Sequence, residues 1–294
     1  MKFILSAFIL LSTMFAHAEL PNQFNVYTTS ANASSTVCRA LFAEYDKVYS
    51  ANTIIVTKSG ATGMLAMIEM TKDKNFSMLC GSGLSESVIN TYSYPGNEDA
   101  HKLLTMVTII AESPTVFSTR PDSPYNTLPE LMKSGKSITV GYNSAVQKLV
   151  GDILFESYPV VWVPYKASTD ALSSLLEGTL DLYIDGGGLT PLITANKLKS
   201  LGHFNGLDNT PGINLKKEFS EAAKIRAISS VTTSINNNAS DIEEMNQRIN
   251  KLMNNEIVIN AIKQVSNLPL KKTVKESNDY IEYFRKEYIK KYVR

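Results

Sequence analysis

Cysteine, histidine and tryptophan are scarce in this chain, with two, three and one among 294 residues. The two cysteines, Cys38 and Cys80, lie in no C-x-x-C spacing and make no zinc site, which takes four ligands. In an oxidising compartment such a pair forms a disulfide; otherwise it is two small buried hydrophobes, and both readings stay open. There is no G-x-S-x-G, H-E-x-x-H or Walker A sequence. An enzyme would have to be built from Cys38 with His101 or His203, and nothing in their spacing favours it. No cofactor or metal is called for. Excess charge is missing too: 29 Lys+Arg stand against 28 Asp+Glu. That balance argues against nucleic acid as a partner.

Long apolar runs are confined to the N-terminus. Lys2, the run Phe3 to Phe15 and then Ala16-His17-Ala18 read as a signal peptide over 1–18, cut after Ala18. The run is too short for a membrane anchor, and no cysteine follows the cut to take a lipid. Loss of Lys2 leaves a mature chain of about zero net charge, soluble in the periplasm.

What is present is α/β patterning, clearest from Val160 to Asp185. Val160-Val161-Trp162-Val163 reads as a strand covered on both faces, ended by Pro164. Ser168 is the expected N-cap of a helix whose apolar face is Ala171, Leu172, Leu175 and Leu176, stopped by Gly178. Leu180, Leu182 and Ile184 then alternate with Asp181, Tyr183 and Asp185 as a strand. Such a crossover makes the two strands parallel and puts Tyr165-Lys166-Ala167 and Asp185-Gly186-Gly187-Gly188 at one carboxyl sheet edge, where open α/β sheets bind ligands.

Three earlier strand, small loop and helix units precede it. Strands are expected at Phe24 to Tyr27, Thr53 to Val56 and Phe76 to Leu79, with helices at Val37 to Tyr45 and Met64 to Met70. Further strands are expected at Thr105 to Ala111, Thr115 to Ser118 and Ser137 to Tyr142, with a helix around Lys148 to Phe155. Leu189 to Ala195 is expected to be helical and Leu207 to Lys217 irregular, and Ile225 to Ser229 reads as a strand returning to the first sheet. A Ser240–Glu243 capping box opens a helix with Ile242, Met245, Ile249, Leu252 and Met253 on one face. Asp279 to Tyr292 closes the chain, capped by Ser277, with Tyr280, Phe284 and Tyr288 as a packed stripe. The fold class is therefore α/β and periplasmic-binding-protein-like: two lobes of mostly parallel sheet around a hinged cleft. Lobe 1 is discontinuous, 19–118 plus 228–294, and lobe 2 is 119–227.

These residues carry a resemblance. Val163-Pro164-Tyr165-Lys166, Leu175-Leu176-x-Gly178 and Asp181-Leu182-x-x-Asp185 resemble the distinctive block of the Bug-type (TctC-like) extracytoplasmic solute receptors, the binding proteins of tripartite tricarboxylate transporters. Ser59-Gly60-Ala61-Thr62-Gly63, Ala111-Glu112-Ser113-Pro114, Asn196-Lys197-Leu198-Lys199, Asp208-x-x-Pro211 and Arg248-Ile249-Asn250-Lys251 follow in the family's order along nearly the whole mature chain. Two places depart from it. Thr29 to Ser35 has neither Gly nor Asp, and the loop after Tyr142 is shortened.

The resemblance implies a monomeric receptor that traps a small carboxylate (a di- or tricarboxylate, acidic amino acid or aromatic acid) by lobe closure. The partners it implies are the membrane permease subunits of a tripartite transporter. A receptor that signals instead is the alternative. Carried over, it implicates Ser30, Asn32, Ser34 and Ser35 in the first loop, then Ser82, Ser144, Ala167 and Ser168. Helix-opening loops present free N–H groups and hydroxyls, a chemistry suited to carboxylates; ordinary turn and cap chemistry explains the same residues. Lys148 would pair a second carboxylate or be solvated, and Asp185 would bond a distal donor or, the preferred reading, anchor the glycine turn.

Overall fold

The computed structural model describes residues 20–29, 33–90, 100–289 and 291. The signal segment 1–18 with its cut, Ser30 and Asn32 lie outside these residues.

The chain begins with β1 (Gln23–Thr28), α1 (Ala33–Tyr49), β2 (Asn52–Thr57), α2 (Met64–Lys72), β3 (Ser77–Ser82) and β4 (Leu104–Ser113). The second sheet follows, with β5 (Thr115–Thr119), α3 (Leu128–Lys133), β6 (Ile138–Tyr142), α4 (Ala145–Leu154), β7 (Val160–Pro164) and α5 (Ser168–Leu176). It continues through β8 (Leu182–Asp185), α6 (Thr190–Thr194), β9 (Lys199–Phe204) and α7 (Ser220–Ala223). The chain then returns through β10 (Ala227–Ser234), α8 (Ala239–Leu252), α9 (Glu256–Gln264), β11 (Leu268–Pro269) and α10 (Val274–Phe284).

Two sheets result, of order β11-β4-β10-β3-β1-β2 and β7-β6-β8-β5-β9. Each is mixed. Strands β1, β2 and β3 pair in parallel, as do β6, β7 and β8, while β10 and β5 run antiparallel to both of their neighbours. The chain crosses between sheets at Pro114 and again just before Ala227. Ser113 and Ala227 are register partners, so the two crossings lie side by side.

Helix α1 buries Ser34, Val37, Cys38, Leu41, Phe42 and Tyr45 at helical spacing against the first sheet. Cys38 and Cys80 form a disulfide that ties α1 to β3, with their Cα atoms 5.9 Å apart. The pair left open by sequence is thus resolved, and Cys38 has no free thiol for the enzyme reading. The stripe Tyr280, Phe284 and Tyr288 packs as expected, Phe284 and Tyr288 being buried.

Several local expectations are corrected. Ser34 and Ser35 belong to the first turn of α1, not to the preceding loop. Strand β5 pairs in the second sheet, so the first crossing lies at Pro114, ahead of the expected 118. Strand β7 is an edge strand, and Val161 is 54% exposed because β7 pairs with β6 on one side and has no strand beyond it. Trp162 on it is half-buried, resting against Tyr142 and Phe155. Helix α5 is capped at Ala167, whose methyl side chain offers no acceptor, and Ser168 is the first residue inside the helix, its hydroxyl bonded to Asn143 and Tyr183. Helix α8 starts after Asn238, so Ser240 is inside it and forms no box with Glu243. Helix α10 starts earlier than expected, with Thr273 and Glu276 as its capping box. Ser277 lies inside that helix, donating to the Thr273 carbonyl and accepting from the Ile109 amide.

Candidate functional site

A cavity of about 30 Å³ lies where the two sheets' carboxyl edges meet the crossing strands. Ala33, Ser34 and Ser82 line it from the first lobe, and Asn143, Ser144, Val146, Gln147, Asp185 and Gly186 from the second. Ser113, Pro114, Thr115, Ala227 and Ile228 form its floor at the crossings. The volume is water-sized, so a metabolite of several heavy atoms needs the lobes further apart than here.

Two helices present their N-terminal turns to this cavity, α1 from one lobe and α4 from the other. The first amide groups of a helix lack intrahelical acceptors and carry the positive end of its dipole. At α4 the Ser144 hydroxyl accepts from the Gln147 amide, and the Gln147 side chain accepts from the Asn143 and Ser144 amides. This is a complete capping box. The next amide, that of Val146, donates across the cleft to the Ser85 hydroxyl at 3.1 Å. The Ser82 hydroxyl donates to the same Ser85 oxygen at 3.2 Å. On α1, the Ser34 hydroxyl is 2.9 Å from that of Ser229.

Behind the second lobe's wall is a closed polar network. The Ser168 hydroxyl oxygen accepts from the Asn143 side-chain Nδ2 at 3.0 Å and from the Tyr183 hydroxyl at 3.1 Å. Ser168 also bonds the buried Asp185 carboxyl, as do the amides of Leu189, Gly186 and Gly187. Burial pushes the Asp185 pKa up, against the pull of those donors. Asp185 therefore both borders the cavity and ties down its glycine turn. At Gly187, held at φ 89°, an added Cβ would stand 2.6 Å from the Val265 carbonyl of the first lobe, so this turn packs directly on the other lobe.

Of the expected site residues, the cavity brings together Ser34, Ser82, Ser144 and Asp185. Ser35 is buried in α1, Ser168 sits one layer back, and Ala167 is half-buried at the cap of α5. Lys148 is directed elsewhere. Its ammonium bonds Asp152 and lies 4.4 Å from the centre of the Trp162 ring, on the outer side of α4. Residues that sequence reasoning missed are Asn143 and Gln147, Ser85, and the floor residues Ser113 and Thr115. The Ser144-x-x-Gln147 spacing was the available signal for the first pair. No cationic side chain lines the cavity among the described residues.

A family profile described as tripartite tricarboxylate transporter family receptor matches residues 37–219. Among solved structures, the periplasmic binding protein BugD is 16% identical with TM-score 0.77, covering 90% of this chain and 98% of that one. Rpa4515 of R. palustris, solved with adipate, is 15% identical with TM-score 0.79, covering 91% and 95%. MatC of Rhodopseudomonas palustris, solved with malate, is 16% identical with TM-score 0.78, covering 91% and 99%. At such identity these likenesses speak to the fold. No curated protein sequence matches the chain.

Proposed function

The chain belongs to the tripartite tricarboxylate transporter receptor family, and from that premise we propose that this periplasmic solute-binding protein captures a small carboxylate and hands it to a membrane permease. The observation that carries the reading is the facing pair of helix N-termini, α1 and α4, over a cavity lined by hydroxyls, amides and the buried Asp185 carboxyl, with no cationic side chain among the described residues. Donors of this kind hold carboxylates, each charge–dipole contact contributing about 0.3–1 kcal/mol at an exposed site. Ser34, Ser82 and Ser144 supply rotatable hydroxyls to complete the grip. The malate and adipate bound by structural relatives support a carboxylate as the ligand class. The signal segment, cut after Ala18, delivers the mature monomer to the periplasm.

Binding to the native state raises its melting temperature, by about 2.7 kcal/mol of added stability at a hundredfold excess over Kd. A thermal-shift panel of citrate, L-malate, adipate, L-glutamate and benzoate is expected to include at least one stabilising acid. A neutral sugar that stabilises where no acid does would overturn the carboxylate assignment.

A further inference from the structure

A groove of about 1030 Å³ runs between residues 214–226 and the helix α10 with its continuation to Ile289. It shares no lining residue with the ligand cavity. Helix α10 is fastened to the first sheet, where the Asn278 side chain accepts from the Met106 amide and donates to the Met106 carbonyl. The facing wall is α7 with the residues on either side of it, and α7 packs on α4. The Tyr280 hydroxyl joins the walls by donating to the Arg226 carbonyl at 3.2 Å.

Four cations, Lys216, Lys217, Lys224 and Arg226, line this groove, and no Asp or Glu does among the described residues. Lys224 bonds Glu221 and Arg226 bonds Glu112. The ammonium groups of Lys216 and Lys217 are exposed and form no ion pair among the described residues. The acidic residues of α10 closest in sequence, Asp279 and Glu282, line a different cleft and bond Lys275 and Arg285. The whole chain has a net charge of only +1, so positive charge is concentrated here. Below the cations the floor is aromatic. Phe284 and Tyr288 are buried and stacked with ring centres 5.0 Å apart. Tyr283 meets Tyr288 edge-on at 6.3 Å and is 55% exposed.

This combination selects among occupants. Small-molecule sites bury about 70–90% of their ligand, whereas here the four cations and Tyr283 are all exposed. An anionic membrane surface would meet the lysines but could not enter between two walls to reach the stacked rings. A polypeptide segment does both: its carboxylates meet the cationic rim, and its apolar side chains cover the tyrosines. Tyrosine and arginine are also the side chains that concentrate binding energy at protein interfaces.

We propose that this groove docks an acidic polypeptide segment that also carries apolar side chains, presented by the periplasmic face of the permease. This rests on the hand-over reading above and gives it a surface. Charge complementarity steers the encounter and fixes the register, and the aromatic floor supplies the apolar contact.

The test is fluorescence anisotropy of the mature protein with a labelled peptide, three repeats of Glu-Leu-Glu-Tyr, titrated to about 1 mM protein at low salt. The same peptide with Gln for Glu is the comparison. Wild type is expected to bind the acidic peptide tenfold or more tighter than the Gln peptide. The pair Lys216→Glu with Lys217→Glu, and separately Tyr283→Ala, are each expected to weaken it tenfold or more. Lys133→Glu with Lys136→Glu, outside the groove, should stay within twofold of wild type. All three positions altered in the groove are exposed, and should one variant misfold the other decides. Equal binding of the two peptides, an equal loss in the Lys133→Glu and Lys136→Glu control, or no effect of Tyr283→Ala overturns the proposal. So does groove-dependent binding to phosphatidylglycerol vesicles without binding to the peptide. The carboxylate thermal-shift panel, run on the same variants, keeps the two readings apart. A groove that fails leaves the response to acids intact, and a panel in which no acid stabilises the protein leaves the peptide result standing.

Discussion

The Ser85 hydroxyl of the first lobe accepts the Val146 amide of the second at 3.1 Å. Val146 is the second residue of α4, so its amide lacks an intrahelical acceptor. The opposite lobe supplies one. Ser85→Ala removes it, and a bond of this kind is worth about 1 kcal/mol. We expect about a fivefold loss of carboxylate affinity by calorimetry, with the wild-type circular dichroism spectrum retained. Unchanged affinity would show that the contact does not favour lobe closure.

Glu86, buried in the helical segment Ser85–Ile89 that follows β3, sets a pH dependence of stability. Its folded pKa of about 8 lies above its ordinary value of 4.5, so between these values the native state holds the extra proton. Its contribution is fully present below pH 4.5 and is lost as pH rises through 8. The loss amounts to about 5 kcal/mol at most across that window. Glu86→Gln cannot ionise, so its melting temperature is expected to exceed that of wild type at pH 8.5 and to converge with it near pH 4.5. Parallel melting curves at all pH values would contradict the assignment.

The Cys38–Cys80 disulfide closes a loop across a sequence separation of 42. Loop closure of that length restricts the unfolded chain by about 4 kcal/mol. Cys38→Ser with Cys80→Ser, or reduction by dithiothreitol, is expected to lower the denaturation midpoint accordingly. A reduced protein with the same urea midpoint would refute this.

Lys148 is expected to matter for packing and not for ligand. Its partners are Asp152 and the face of Trp162. A cation–π contact at an exposed site is worth about 0.5–1 kcal/mol. Lys148→Ala should lower stability by roughly that amount in urea titrations and leave the affinity for any bound acid unchanged. A tenfold loss of affinity would restore the ligand role.

The block from Val160 to Asp185 was legible because its periodicity switches from strand to helix to strand within one short span, and the structure keeps that order. What periodicity does not carry is position within a sheet. Val160 to Val163 is as apolar as a central strand, yet β7 lies at the edge. Ser34 and Ser35 read as loop because serine is a poor helix former, and burial on the first sheet outweighs that propensity. The reading of Lys148 as a ligand partner or solvated passes over its i,i+4 spacing to Asp152, the pair the structure forms. Glu86 was not visible. A glutamate among serines reads as surface, and only the close packing of its side chain on Gly63 and Gly81 lets it be buried.

The single disulfide also bears on the order of assembly. Two cysteines admit one pairing, so maturation needs an oxidant and no reshuffling. Both lie in the first third of the chain, and the loop they close already contains β2, α2 and most of β3. The strand that lies between β3 and β4 is β10, from the last third. A chain emerging from its N-terminus therefore locks its first wall early and then waits, with one edge of β3 unpaired, until residues 227–234 arrive to fill it.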